Sequence, residues 1–218
     1  RLSGVSGLES GDRMNSGLAS EIAALSLEHL TLVLISMAIA IAVAVPAGIL
    51  ITRRARWRPW VMGFANVMQT IPSLALFGFL IPVPLIGGIG KRTAIVALVL
   101  YALLPILRNT MVGILGVDPA VRESAVGMGM TGRQLLWRVE VPLAARMILA
   151  GIRVAAVTTI GTATIAAAIG GGGLGVFIFR GIASVDSEQI LAGAIPAACI
   201  ALLADAGLGW VERRWSAA

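Results

Sequence analysis

The chain has 218 residues, of which 58% are hydrophobic and 13% charged, with a net charge of +6 and a mean hydropathy of +0.93. An ordinary soluble domain carries about 25% charged residues, so this composition excludes a soluble enzyme or nucleic-acid binder and points to a lipid bilayer. One cysteine, Cys199, and one histidine, His29, exclude a disulfide framework and argue against a metal site within one chain.

Residues 1 to about 20 are polar, rich in Gly and Ser, and lack the apolar core of a cleaved signal peptide. The expectation is a flexible outer tail over residues 1–25 and a membrane domain over 26–215. With Arg1 in first place the chain reads as a fragment or a processed form, with Met14 a candidate start.

A membrane helix needs about 20 mainly apolar residues to cross about 30 Å of hydrocarbon. Five such runs occur: Leu30 to Ile51, Trp60 to Pro82 interrupted by Pro72, Thr93 to Leu115, Met147 to Ile169, and Ile190 to Trp210. The predicted fold class is therefore an all-α polytopic membrane protein of about five spans. Pro46, Pro72, Pro105 and Pro196 fall inside the runs, where membrane helices tolerate proline, and kinks are expected there.

Short loops rich in Arg and Lys stay in the cytoplasm. Arg53, Arg54, Arg56 and Arg58 follow the first run. Arg122, Arg133, Arg138 and Arg146 lie between the third and fourth, and Arg213 and Arg214 are in the tail. They fall on one side only if the N-terminus is outside and the C-terminus inside. Lys91, Arg92 and Arg180 are left for the outer loops.

The segment from about 116 to 146 is the longest internal stretch that is not membrane-like. Asp118-Pro119 opens a helix, because Asp caps free N–H groups and Pro suits the first helical position. Gly127 is expected to stop it in the left-handed conformation. Thr131 with Gln134 forms a capping box that starts a second helix, Gly132 to about Glu140, which Pro142 is expected to close. GMGMTG (Gly127 to Gly132) fits the dinucleotide pattern G-x-G-x-x-G by letter. It follows helix-start chemistry instead of a strand, and the apolar Ile152 stands where an acidic residue is needed. It reads as a hinge between two helices. The cluster Gly170 to Gly175 follows a predicted membrane helix and reads as an outer turn.

The stretch ESAVGMGMTGRQLLWRVEVPLA, Glu123 to Ala144, resembles the E-A-A loop of ABC-importer permeases. Glu123, Ala125 and Gly127 match, Ser124 replaces the first Ala, and Val141-Pro142 stands for the usual Leu-Pro. NVMQTIPSLALFGFLIP, ALVLYALLPILRNT and AGIRVAAVTTIGTATIAAAIGGGGLG are similar to permeases of the glycine betaine, choline and related osmoprotectant branch. The resemblance implies a transport subunit without its own ATPase motif, since no Walker A sequence is present, in a bacterial or archaeal cell membrane. Its implied partners are cytoplasmic ABC ATPases that carry ATP and Mg, a second permease copy, the same or different, and an extracytoplasmic substrate-binding protein. It further implies that the loop docks on the ATPase through Glu123, Ser124, Ala125, Gly127, Met128, Gly129, Thr131 and Leu136.

For Glu123, an ion pair to the ATPase and a local cap are both open. Ala125, Met128, Leu135, Leu136 and Trp137 offer more apolar surface than a solvated hairpin needs, and docking would bury it. Asn66, Gln69, Thr70 and Ser73 share one predicted helical face beside Pro72, and Thr158 and Thr162 repeat that spacing on the fourth run. These faces either line a translocation path or join helices by small polar contacts. Arg108, Arg153 and Asp205 lie at one depth near the cytoplasmic ends of their runs, which suggests a structural ion pair between Asp205 and one arginine. The other roles open to these charges are a gate and snorkelling.

Quaternary ammonium recognition uses aromatic cages, and Tyr101, Phe64, Phe77 and Phe79 form no evident cage, so affinity is expected to reside in the binding protein. The competing readings are a permease for an amino acid or other small polar solute, an ion-gradient-driven secondary transporter, and a membrane scaffold. The secondary transporter, a design that usually shows internal repeats with paired broken helices and intramembrane acids, fits poorly with five spans and one candidate acid near an end. An enzyme reading finds no nucleophile, base and orienter set.

Overall fold

The structure is a computed structural model that describes residues 5–84 and 86–215, with side chains from residue 17 onward. Every regular element among the described residues is helical. In chain order these are α1 (Val5–Arg53), a 3-10 turn (Ala55–Trp57), α2 (Arg58–Thr70), α3 (Ser73–Leu80), α4 (Lys91–Leu115), α5 (Pro119–Gly127) and α6 (Gly132–Leu135). A π turn (Leu136–Glu140), α7 (Val141–Ala163), a 3-10 stretch (Thr164–Ile169), α8 (Gly175–Ser184) and α9 (Ser187–Trp215) complete the chain.

Four helical runs are long and apolar enough to cross a bilayer: Gly17–Arg53, Lys91–Leu115, Gly132–Ile169 and Ser187–Trp215. The α2–α3 pair makes a fifth if it counts as one broken span. That pair is bent by 105°. Pro72 is the cause: it removes an N–H and holds Ile71 extended, at φ −68° and ψ 129°. The carbonyl freed at Ile71 accepts a hydrogen bond from the Tyr101 hydroxyl of α4. No such break occurs at the other three prolines: α1, α4 and α9 run on as helix through Pro46, Pro105 and Pro196.

The N-terminal segment is the first correction. From Val5 onward it belongs to α1 instead of forming an irregular tail, and residues 1–4 lie outside the described residues. SEIAALSLEHL is rich in the strong helix formers Ala, Leu and Glu, and Glu21 is held by Arg180 of α8 at 2.8 Å. A second correction is α8, a ten-residue helix between the fourth and fifth spans that packs on α9 and that span-length reasoning does not find.

The helix α4 is the centre of the bundle, packed against α1, α7 and α2. Its span is 50% buried, whereas that of α9 is 11% buried, so α4 is an interior helix and α9 a boundary one. The seams are narrow because the facing residues are small. Ala40 and Ala44 of α1, Ala94, Ala97 and Ala102 of α4, and Ala155 and Ala163 of α7 are all buried in one cluster. At Gly151 a Cβ would stand 2.5 Å from the Asn109 Cβ and 2.8 Å from the Pro105 carbonyl. Between lipid-embedded helices such close approach supplies the van der Waals contact that a hydrophobic driving force cannot.

The two ends of the bundle differ in chemistry. Arg53, the 116–146 segment and the end of α9 meet at one end, where Arg146 lies 3.8 Å from Glu212. The chain's five tryptophans, Trp57, Trp60, Trp137, Trp210 and Trp215, are all exposed around this end, and the Arg214 guanidinium sits 5.2 Å above the Trp210 ring. Amphipathic indoles of this kind settle where hydrocarbon gives way to headgroups. At the opposite end the glycine-rich turn 170–175 folds over the start of α4 and residues 28–29 of α1.

Candidate functional site

The segment between α4 and α7 folds as two short helices with defined caps. Asp118 accepts from the Ala120 N–H at 2.8 Å, and Pro119 occupies the first turn of α5. The end of α5 is two residues later than the glycine pattern suggests. Gly127 is the last helical residue, and Gly129 takes the left-handed conformation at φ +81°. The Met130 N–H donates to the Ala125 carbonyl at 3.2 Å and the Gly129 N–H to the Val126 carbonyl at 2.9 Å. This is a Schellman ending, which satisfies carbonyls that the helix leaves open. The pattern GMGMTG is thus a turn between helices.

Thr131 then opens α6 with the expected capping box: its N–H donates to Gln134 Oε1 at 2.8 Å and its Oγ1 accepts from the Gln134 N–H at 3.4 Å. Pro142 does not close this second helix. The chain passes through the π turn Leu136–Glu140 directly into α7, with the Val141 N–H bonded to the Leu136 carbonyl and Pro142 in the first turn of α7. The wider i→i+5 turn accommodates a proline that would clash in a regular α-helix. The second helix of the hairpin and the fourth span are consequently one helical run, Gly132–Ile169.

The apolar residues of this hairpin divide into two sets. Ala125 and Leu135 are buried, and Leu136 packs on Ile114, Ala144 and Ile148, so these three hold the hairpin together instead of facing outward. Met128 is 73% and Trp137 58% exposed, and Val121 and Val126 join them outside. Glu123, Ser124, Gly127, Gly129 and Thr131 are exposed as well. The Ser124 hydroxyl donates to its own helix at the Ala120 carbonyl, 2.8 Å away. Neither an ion pair nor a local cap engages Glu123 among the described residues, which leaves its carboxylate available at the surface.

Sequence reasoning misses the strongest interaction here. Glu140, at the end of the π turn, is 1% exposed and is paired with Arg53 from the end of α1 and with Arg122 from α5, whose Nε lies 3.1 Å from Glu140 Oε1. A readable signal exists: Glu140 is the only acid between Glu123 and Asp186, set in an apolar V-E-V-P context beside many arginines.

The intramembrane polar residues do not gather into one site. Asn66, Gln69 and Thr70 are exposed on α2, but Ser73 lies on α3 beyond the 105° bend, so the shared helical face ends at Thr70. Thr70 donates to Val67, Thr158 to Val154 at 2.9 Å, and Thr162 to Thr158 at 2.8 Å, each within its own helix. Those hydroxyls join no helices among the described residues. The helices α2 and α7 each pack against α4. A 420 Å³ pocket beside Thr158 is lined by Ala150, Arg153, Val154, Val157, Asp205 and Glu212, with no residue of α2.

Arg153 and Asp205 form the intramembrane pair. It is bidentate, Nε to Oδ1 at 2.6 Å and Nη2 to Oδ2 at 2.8 Å, and Glu212 adds a contact at 3.4 Å. Arg108 stands exposed on α4, outside this network. The guanidinium of Arg153 fits over Gly209, where a Cβ would come within 3.0 Å of it. At the opposite end, Glu28 accepts from the Gly173 N–H at 2.9 Å and pairs with Lys91 at 2.5 Å. Beneath it the buried His29 has Nε2 3.1 Å from the Ile160 carbonyl.

The profile of the family described as "Binding-protein-dependent transport system inner membrane component" matches residues 44–217. The carnitine transport permease protein OpuCB of Listeria monocytogenes is 49% identical over 187 residues, which is 86% of this chain and 84% of that protein. The glycine betaine/carnitine/choline transport system permease protein OpuCB of Bacillus subtilis (strain 168) is 47% identical over 86% of this chain and 85% of its own length. The osmoprotectant import permease protein OsmW of Salmonella typhimurium is 44% identical, covering 86% of this chain and 88% of its own. Among solved structures, an inward-facing MetNI methionine ABC transporter superposes with a TM-score of 0.80 at 22% identity, covering 89% of this chain and 95% of that one, which speaks for the fold. With its helical bundle, its capped two-helix loop and these matches, the chain belongs to the binding-protein-dependent transport system inner-membrane components.

Proposed function

We propose that this chain is the membrane-spanning subunit of an ATP-driven importer for a small osmoprotectant such as glycine betaine, choline or a related quaternary amine. The observation that carries this reading is 44–49% identity, across 86% of the chain, to permeases named for carnitine, choline and osmoprotectant transport in three organisms. On this reading the arginine-rich end is cytoplasmic, with the N-terminus outside and the C-terminus inside. The hairpin 116–146 docks on an ABC ATPase that carries ATP and Mg, and Val121, Val126, Met128 and Trp137 supply the apolar contact while Glu123 meets a basic residue. A second permease copy completes the path, and an extracytoplasmic binding protein delivers the solute.

Asn66, Gln69, Thr70, Ser73, Thr158 and Thr162 line the path, offering brief hydrogen bonds to a polar solute without a deep well. Arg153 and Asp205 brace α7 against α9 during the movement. The physical requirement is that displacement of the hairpin reaches the spans undamped, and the helical continuity from Gly132 to Ile169 supports it.

The test is reconstitution with the cognate ATPase and binding protein in proteoliposomes, followed by uptake of labelled choline, glycine betaine and methionine. ATP-dependent uptake of a quaternary amine and none of methionine supports the reading. Uptake of methionine alone, or uptake that persists without ATP and collapses with the ion gradient, overturns it.

A further inference from the structure

Glu140 is a buried carboxylate at which three elements meet, with a fourth reached through Arg122. It belongs to the helical entry of α7, Arg53 is the last residue of α1, and Arg122 is on α5. Arg122 reaches further, since its Nη2 donates to the Ile114 carbonyl in the last turn of α4. Burying a carboxylate is unfavourable unless opposite charge offsets its lost hydration. Here two guanidiniums do so, and they keep contact with water, their side chains being 42% and 27% exposed. The cluster carries two positive charges and one negative. Without the carboxylate, Arg53 and Arg122 would repel each other, and Arg53 would turn to solvent.

The apolar packing of Leu136, Ile114, Ala144 and Ile148 and the caps at Asp118 and Thr131 hold each helix without Glu140. Val45 and Ile49 join the end of α1 to that apolar cluster, but no residue of α5 belongs to it, so the packing leaves open the position of α5 relative to α1. Among the described residues, the Glu140 carboxylate alone joins Arg53 and Arg122, residues far apart in sequence. We infer that Glu140 is a positioning residue for energy coupling: by clamping Arg53 and Arg122 it makes the coupling hairpin and the end of α1 move as one body. A push on α5 then reaches α1 and α7 together instead of being absorbed by tilting of α5.

This inference rests on the proposed function, and the experiment separates the two. In proteoliposomes holding the complete complex with ATPase and binding protein, uptake and ATP hydrolysis are measured on the same vesicles. For Glu140→Gln, hydrolysis persists while solute moved per ATP falls about tenfold, within the range typical of coupling between sites. Arg53→Gln, at a more exposed position, shows the same direction and guards against a Glu140 variant that does not assemble. The double variant loses no more than the stronger single one, because both remove one interaction.

If uptake and hydrolysis fall in parallel in both variants, or the ratio stays at the wild-type value, Glu140 is only structural and the inference is overturned. A wild-type complex that hydrolyses ATP without moving solute overturns the proposed function and the inference with it.

Discussion

The two ends of the bundle are joined by different means. At the arginine-rich end, long side chains reach across: Arg53 and Arg122 to Glu140, and Arg146 to Glu212. At the opposite end Lys91 pairs with Glu28 and Arg180 with Glu21, but there the backbone itself also makes the close approach. Gly170, Gly172 and Gly173 are left-handed, the Gly90 N–H donates to the Ile169 carbonyl at 2.8 Å, and a Cβ on Gly172 would lie 2.4 Å from Glu28 Oε2. Flexible charged side chains can re-aim while keeping their pairing, whereas the backbone contacts at Gly171 and Gly175, where a Cβ would stand 2.8 Å from the Ala166 carbonyl and 1.8 Å from that of Thr164, leave little space for displacement. The first arrangement suits an end that is pushed, and the second an end that holds its shape.

Substitutions can break or sharpen that contrast. The largest effect is expected at Gly175, the first residue of α8, where a Cβ would stand 1.8 Å from the Thr164 carbonyl oxygen. Gly175→Ala should destabilise the purified protein by about 3 kcal/mol, the upper part of the overpacking range, read as a drop in thermal midpoint in detergent. A midpoint within one degree or so of the parent would mean that the glycine end yields as easily as the arginine end.

Gly129→Ala should cost about 1–2 kcal/mol, because its φ of +81° suits a left-handed residue without a Cβ. At Gly127, which is helical with open space around it, alanine should stabilise by up to about 1 kcal/mol. Opposite signs two residues apart would place the left-handed residue that ends the helix at Gly129. Equal losses would return it to Gly127. The smallest effect is expected at the cap of α6: Thr131→Ala should cost about 1 kcal/mol locally, seen as faster hydrogen exchange over residues 132–135 with the global midpoint nearly unchanged.

Much of the fold is legible in sequence because lipid imposes few solutions. Runs of about 20 apolar residues must be helices, and the first, third, fourth and fifth runs each fall within a long helix. The caps of α5 and α6 are legible because Asp118, Thr131 and Gln134 act within three residues of themselves. What fails is anything set by partners distant in the chain. Pro142 stops a helix on local grounds, yet the π turn before it lets the helix continue. Ala125, Leu135 and Leu136 look like docking surface by composition, but Ala125 and Leu135 are buried within the chain and Leu136 packs on Ile114 of α4 and Ala144 and Ile148 of α7. Ser73 shares a face with Gln69 only on a straight helix, and Pro72 removes that condition. Glu140 carries only an indirect mark, as an isolated acid in an apolar V-E-V-P context, because the two arginines that allow its burial come from other helices.

The central claim is that the hairpin from Asp118 to Glu140 is the surface through which an ATPase drives the membrane helices. The most direct measurement is cross-linking from its most exposed apolar residue, in a Cys199→Ser background because Cys199 is an exposed free thiol. In a transport-competent complex, Met128→Cys bearing a short photo-cross-linker should join this chain to the ATPase, and the yield should change when ATP is added. A complex that transports normally while Met128→Cys labels only lipid or solvent-borne reagent would contradict the account.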